Sequence, residues 1–342
     1  MKRHFLQLLL FAFLLTALPL LPALLIRPAA VPEPAERIAA TESTFSTTEP
    51  PAVENQAGYR ILQTATGEIR EVPLREYLIG AVGAEMPASF APETLKAQAV
   101  AAHTYAERQC MLSAGREELQ GADFSDDPSL YQACLTEDEQ RERWGTQYAL
   151  YHERIAAAVD AVQEELLYYD GAPIIAAFHA MSSGRTESAA HVWGSEIPYL
   201  CSVESEADCS APEFETTVQL TAGEVRERLL GAHTGLTLGK DPAGWFGEPA
   251  VSEAGTVLQL QAGDGIFTGQ ELRSILGLRS AAFTAEYADG QFTFTVHGFG
   301  HDVGMSQYGA NAMALEGHSY QEILAYYYPG AELRPMTAEK PQ

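Results

Sequence analysis

The chain is poor in cysteine, with four in 342 residues and no C-x-x-C pair. Such a count neither builds a disulfide scaffold nor marks a structural zinc site. No H-E-x-x-H pair occurs either, which leaves a zinc hydrolase without a motif. Positive charge is scarce: 21 Lys and Arg against 46 Asp and Glu give a formal net charge of −25. That balance excludes nucleic acid as a partner bound through a phosphate-neutralising surface. No internal repeat of fixed period is present, which removes solenoids and propellers.

One long apolar run exists. Residues 5–26 carry no charge and follow Lys2, Arg3 and His4. About 20 apolar residues span a bilayer, and basic residues ahead of them favour an orientation with the following chain outside the cytoplasm. A cleaved signal peptide is the alternative, because Pro19 and Pro22 weaken the helix and Ala29 and Ala30 follow. In both cases the remainder leaves the cytoplasm. Beyond the run, Pro, Ala, Glu, Ser and Thr dominate, a composition that buries too little apolar surface to fold. The expected organisation is an anchor over 1–27, a flexible linker over 28–57 and a folded domain over 58–335. With 46% hydrophobic and 20% charged residues, the body is globular.

Leu74, Leu78, Val82 and Met86 recur every four residues, which predicts a helix that Pro87 stops. A second helix opens at Pro92 and runs to about Met111. Amphipathic spacing predicts a third over 151–166, and apolar residues predict a strand over 174–178. Alternation on both sides of Asp289-Gly290 predicts a hairpin of strands 282–287 and 291–296. A strand over 256–260 and a helix over 322–328 complete the pattern. Helices and strands do not alternate regularly, so the class is α+β: mixed helices and antiparallel strands around a substrate groove, with an N-terminal membrane-spanning helix.

Three segments are unusual for plain structure. In Glu85-Met86-Pro87-Ala88-Ser89-Phe90 a carboxylate ends a helix among apolar residues, where dipole and desolvation both favour the protonated acid. Such an acid suits protonation of a glycosidic oxygen; a solvated helix-end glutamate is the plain alternative. In the second segment, Phe178-His179 runs into Ser182-Ser183-Gly184, small polar groups able to line a sugar site or merely to cap a turn. The third, from Gly298 to Ala310, spaces glycines among His301, Gln307 and Tyr308, allowing close backbone approach to a ligand or a purely structural loop. It holds neither G-x-G-x-x-G nor a G-K-[ST] ending, so it is no phosphate loop.

Glu85-Met86-Pro87, the run Leu95 to Ala102, Phe178-His179 with Ser183-Gly184-x-Thr186-Glu187, Pro198-Tyr199-Leu200, and Gly300-His301-x-Val303-Gly304-Met305-Ser306-Gln307-Tyr308-Gly309-Ala310 occur in one order. Together they resemble the stage II sporulation protein D family, which also includes amidase enhancers. The resemblance implies a membrane-anchored lytic transglycosylase that cuts peptidoglycan glycan strands during forespore engulfment, at the mother-cell membrane. A sporulation amidase that strips stem peptides and a membrane scaffold protein are the implied partners. Glu85 falls on the family's catalytic glutamate, and no cofactor is implied. His179, Ser182, Ser183, His103, His301, Gln307 and Tyr308 are the expected substrate contacts. A non-catalytic glycan-binding or amidase-enhancing module is the rival.

The chain also departs from the family pattern. His103 and His297 stand where arginines are usual, replacing two fixed charges with imidazoles, so substrate affinity or pH optimum is expected to differ. Some members carry zinc on a Cys followed by His-Cys; here those positions are Ser125, Leu130 and Tyr131, so no metal is expected. Cys110 and Cys134 bracket that loop, and a disulfide between them, with a second joining Cys201 and Cys209, is the preferred one of three connectivities, four reduced thiols being the alternative.

Overall fold

The computed structural model describes residues 58–336. The expected anchor and linker lie outside the described residues. Among the described residues, no helix is long and apolar enough to cross a membrane.

Strand β1 (Gly58–Leu62) alternates outward residues with buried Tyr59 and Ile61, and pairs antiparallel with β2 (Ile69–Pro73). Helix α1 (Leu74–Glu85) follows at once and stops where Met86 becomes extended before Pro87, as the proline requires. Helix α2 (Pro92–Ser113) starts with proline in its first turn and is buried on nearly every side, from Thr94 to Ala106. A helix enclosed on all faces is the centre of a core, and small residues such as Ala97, Ala101 and Ala102 let its neighbours approach. Strand β3 (Phe124–Ser125) joins β1 in parallel.

Helix α3 (Glu137–Trp144) is opened by a reciprocal Thr136–Glu139 cap. Helix α4 (Tyr148–Val162) packs against α1 and α2. The expected third helix therefore ends early, and its last residues enter strand β4 (Glu165–Tyr169). Asp170 and Gly171, both at positive φ, turn β4 into β5 (Ala172–Pro173). Residues 174–177 are buried but form no ladder, and only β6 (Phe178–His179) is a strand. A continuous apolar run signals burial without fixing the backbone state. Helix α5 (Ala189–Trp193) follows.

Strand β7 (Glu215–Thr221) opens a region with a core of its own. Helix α6 (Ala222–Ala232), the sheet of β8 (Ala250–Val251), β9 (Val257–Ala262) and β10 (Gly265–Phe267), helix α7 (Gly269–Leu276), and the hairpin of β11 (Phe283–Ala288) and β12 (Gln291–His297) complete it. Asp289 and Gly290 adopt the positive φ of a two-residue hairpin turn. Leu229, Phe292, Phe294 and Val296 are among the residues buried there.

The chain then returns to the first core through β13 (Met305–Ser306), parallel to β6. Helix α8 (Gln307–Leu315), helix α9 (Tyr320–Tyr327) and β14 (Glu332–Pro335), antiparallel to β4, end the described fold. The α+β class holds, with one correction: β1–β3 and β6–β13 are parallel.

A second correction concerns cysteine, because none of the four is in a disulfide. Cys134 faces α1, its Sγ 3.5 Å from the Tyr77 carbonyl oxygen, and burial pushes its thiol up to about 12. Cys209 lies over Gly184, where an added Cβ would stand 2.9 Å from its Sγ. Each of these two side chains is thus directed at another segment of the fold.

Phe294 is fully enclosed by Phe246, Phe283 and Phe292. Phe294→Ala is expected to cost about 3–5 kcal/mol, read as a lower urea midpoint; an unchanged midpoint would contradict a packed second core.

Candidate active site

Glu85 is half-buried at the last position of α1, followed by buried Met86, Ala88 and Phe90. The turn that carries it is held by two guanidinium groups. Arg143 of α3 donates to the Gly83 and Ala84 carbonyls, both at 3.1 Å. Arg154 of α4 donates to Ala88 at 2.9 Å and Phe90 at 2.8 Å. The negative end of the α1 dipole is therefore offset by a cation, and does not act on Glu85 as a bare dipole. Behind it, burial raises the Tyr105 phenol, and the Glu85 charge raises it further.

The glycine-rich loop lies against the chain leaving β6. Gly304 has φ 74°, and a Cβ there would stand 2.0 Å from the Ala177 carbonyl oxygen. Gly300 has φ 131°, and its Cβ would stand 2.5 Å from His179 Cβ. Only glycine fits both demands at these two positions. Between them the Val303 peptide clasps two histidines: its N–H donates to His301 Nδ1 at 3.0 Å, and its oxygen lies 3.2 Å from His179 Nδ1. The acceptor role of His301 Nδ1 assigns its proton to Nε2. The two rings are 5.7 Å apart, with Trp193 5.5 Å from His301.

Asp208, fully buried, joins the two segments. Ser182 donates to its Oδ2 from N at 2.8 Å and from Oγ at 2.7 Å, and Ser306 Oγ donates to Oδ1 at 2.8 Å. Ser306 Oγ also accepts from Gly309 N at 3.1 Å, capping α8. Ser183 Oγ donates to the Ala254 carbonyl, and Gln307 Nε2 donates to Gln98 Oε1 at 3.2 Å.

Helix α8 ties this region to the Glu85 turn. Tyr308 sets its ring 5.1 Å from Phe90, edge to face, and Asn311 Oδ1 accepts from Ala91 N at 2.8 Å. Six expected contacts, His179, Ser182, Ser183, His301, Gln307 and Tyr308, therefore gather around β6 and β13. Ser183 and Tyr308 are partly exposed, while the other four are buried, His179, Ser182 and His301 bonding backbone groups and Gln307 the Gln98 side chain.

His103 is elsewhere. It is fully buried on α2, its Nε2 3.7 Å from Glu107 Oε1, and Glu107 in turn accepts from Tyr59 Oη at 2.7 Å. His103 is thus a core residue with no surface to offer a ligand. His297, the other arginine replacement, lies 3.1 Å from Glu215 Oε2 at the surface. Residues that sequence reasoning passed over include Asp208, Arg143, Arg154 and Asn311; none belongs to a motif, and each acts across a long separation in sequence.

Comparison with known proteins decides the family. A family model described as stage II sporulation protein matches residues 63–169, which hold α1, α2 and Glu85. Stage II sporulation protein D of Bacillus subtilis (strain 168) is 38% identical over 282 residues, covering 80% of this chain and 78% of that protein. The same-named protein of Bacillus amyloliquefaciens is 36% identical over 304 residues, covering 88% and 86%. The chain belongs to the stage II sporulation protein D family. A more distant relative, the amidase enhancer of B. subtilis, is 26% identical over 309 residues, 75% of this chain and 40% of that protein.

The positions at which the family resemblance suggested zinc are Ser125, Leu130 and Tyr131. The residues present do not fit it. Ser125 is buried in β3, Leu130 offers no donor atom, and the Tyr131 ring packs on Phe124 at 5.9 Å. Cys134, the thiol nearest in sequence, is pushed up by burial, away from the thiolate a metal requires.

Burial raises the Asp208 carboxyl against its hydroxyl donors. The folded chain then keeps this proton to higher pH than the unfolded chain. Its contribution is complete below the unfolded carboxylate value, near 4, and is lost as pH rises through the folded value. Asp208→Asn, whose amide nitrogen cannot accept and brings one hydrogen more than the protonated carboxyl, is expected to cost about 2 kcal/mol at the acid end. That deficit should shrink as pH rises, and urea midpoints of the two proteins from about pH 4 to 7 read both effects. A deficit absent throughout would remove Asp208 as the joint.

Proposed function

We propose that the chain is a lytic transglycosylase of peptidoglycan acting in sporulation, with Glu85 moving the proton in both halves of the reaction. The protonated carboxyl gives its proton to the oxygen between N-acetylmuramic acid and N-acetylglucosamine as the C1–O bond breaks. Positive charge develops at C1 of the muramyl ring. The carboxylate then takes the proton of the C6 hydroxyl while O6 bonds to C1, closing a 1,6-anhydro ring without water. An ordinary glycosidase needs a second carboxylate to activate water or to form a covalent intermediate; the intramolecular hydroxyl replaces it.

The observation that carries this reading is the join between motifs far apart in sequence: the Glu85 turn is fastened to the glycine-rich segment through Phe90–Tyr308 and Ala91–Asn311. A half-buried carboxylate on a turn that packs, through Phe90, on a partly exposed tyrosine, with a backbone able to approach a ligand, suits a glycan strand. The resemblance in Glu85-Met86-Pro87 supports the same residue. In this reading residues 1–27 anchor the chain, and the catalytic domain faces the forespore from the mother-cell membrane. A sporulation amidase and a membrane scaffold protein are its partners, the amidase stripping the stem peptides. The 26% identity with an amidase enhancer favours a second reading, a module that binds glycan and stimulates a separate amidase.

Glu85→Gln is expected to lower release of soluble fragments from peptide-stripped glycan by about 100-fold or more, with circular dichroism and melting temperature unchanged. Equal turnover by the variant would overturn the proposal. No turnover by either protein, with stimulation of an amidase, would establish the enhancer.

A further inference from the structure

Phe299 sits in the glycine-rich loop between Gly298 at φ 77° and Gly300 at φ 131°. Its backbone exchanges both hydrogen bonds with Met181, at 2.7 and 3.1 Å, so its position is fixed. The ring is nevertheless 42% exposed, although Met181 and His301 beside it in the chain path are buried. Arg279 places its guanidinium 4.4 Å from the ring centroid and donates to Glu213 Oε2 at 2.9 Å. Near this point Gly298 N donates to the Phe214 carbonyl at 2.8 Å, and the Phe214 ring lies 5.4 Å from that of His297, which is paired with Glu215. The paired backbone thus fixes the point from which an exposed aromatic ring leaves the chain, with a guanidinium over that ring.

Its place relative to Glu85 follows from the pairing. Ala180 accepts from Tyr308 N at 3.0 Å, and the next residue, Met181, pairs with Phe299. Tyr308 and Phe299 therefore flank the same two residues, about two strand spacings or ~10 Å apart. Tyr308 in turn packs on Phe90 of the Glu85 turn. The Glu85 turn is thus connected, through Phe90 and Tyr308, to the chain segment that pairs with Phe299.

A pyranose ring has C–H bonds on its faces and hydroxyl or amide groups around its edge. It matches an exposed aromatic ring that has a guanidinium over one face and, paired with that guanidinium, the Glu213 carboxylate. A protein partner anchored on the same ring would need a dry apolar surround, whereas the group over the ring here is charged. We infer that Phe299, backed by Arg279, is a stacking platform for one sugar ring of the glycan strand, a subsite beyond the bond that Glu85 cleaves. This rests on the glycan reading above.

The test uses the full chain carrying Glu85→Gln, so that the strand is bound and not cut. The probe is peptide-stripped oligosaccharide of alternating N-acetylglucosamine and N-acetylmuramic acid, with binding measured by calorimetry. Adding Phe299→Ala is expected to weaken binding about tenfold. Phe299→Tyr should restore it, and Leu315→Ala, at a distant exposed position, should change nothing. If the Phe299→Ala protein binds as its parent does, the platform is overturned while the glycan reading stands. If the parent binds no oligosaccharide, both fall.

Discussion

Asp208 is a carboxylate with no access to water, and three donors from two distant segments end on its two oxygens. Ser182 brings the chain that leaves β6; Ser306 brings the first turn of α8. A third attachment lies beside it, where Ser205 Oγ and Tyr327 Oη are 3.0 Å apart. Gly309 is small because these groups crowd it, its Cβ position falling 2.2 Å from Tyr327 Oη and 2.3 Å from Ser205 Oγ. A buried carboxyl keeps its place only while its hydrogen-bond partners remain, and loss of any one leaves a polar atom unsatisfied. The serine-bearing turn, the glycine-rich loop and the last helices thus depend on one side chain for their relative placement.

The Glu85 turn is fixed from the opposite direction. Its carbonyls are gathered by Arg143 and Arg154, both scarce cations in an acidic chain. Two independently braced parts then meet at Phe90 with Tyr308 and at Ala91 with Asn311. Such bracing suits a site where one carboxylate serves as acid and then as base, because both proton transfers require it to keep its place while the sugar changes shape. Family membership places the chain in sporulation; the chemistry of glycan cleavage is the reading the geometry supports best.

Much of this was readable from the sequence where a local rule governs. The four-residue spacing and Pro87 located α1, Pro92 located α2, and Asp289-Gly290 located the β11–β12 turn. The Thr-x-x-Glu caps at Thr136, Thr221 and Thr268 were equally local, and their helices were legible but passed over. His103, expected at the substrate from its motif, is fully enclosed, because α2 around it consists largely of small and apolar residues, the pattern of an enclosed helix. Asp208 and Arg154 gave no such signal, since their partners lie 26 to 98 and 64 to 66 positions away. Cysteine proximity along the chain likewise said nothing about side-chain direction, which sends Cys134 to α1.

The central claim is that one carboxylate works without water, and isotope incorporation tests it most directly. Peptide-stripped glycan digested by the chain in water enriched in oxygen-18 should yield muramyl ends lighter by one water than hydrolysis products and free of the label. Reducing ends carrying oxygen-18 would contradict the account and make the protein a hydrolase.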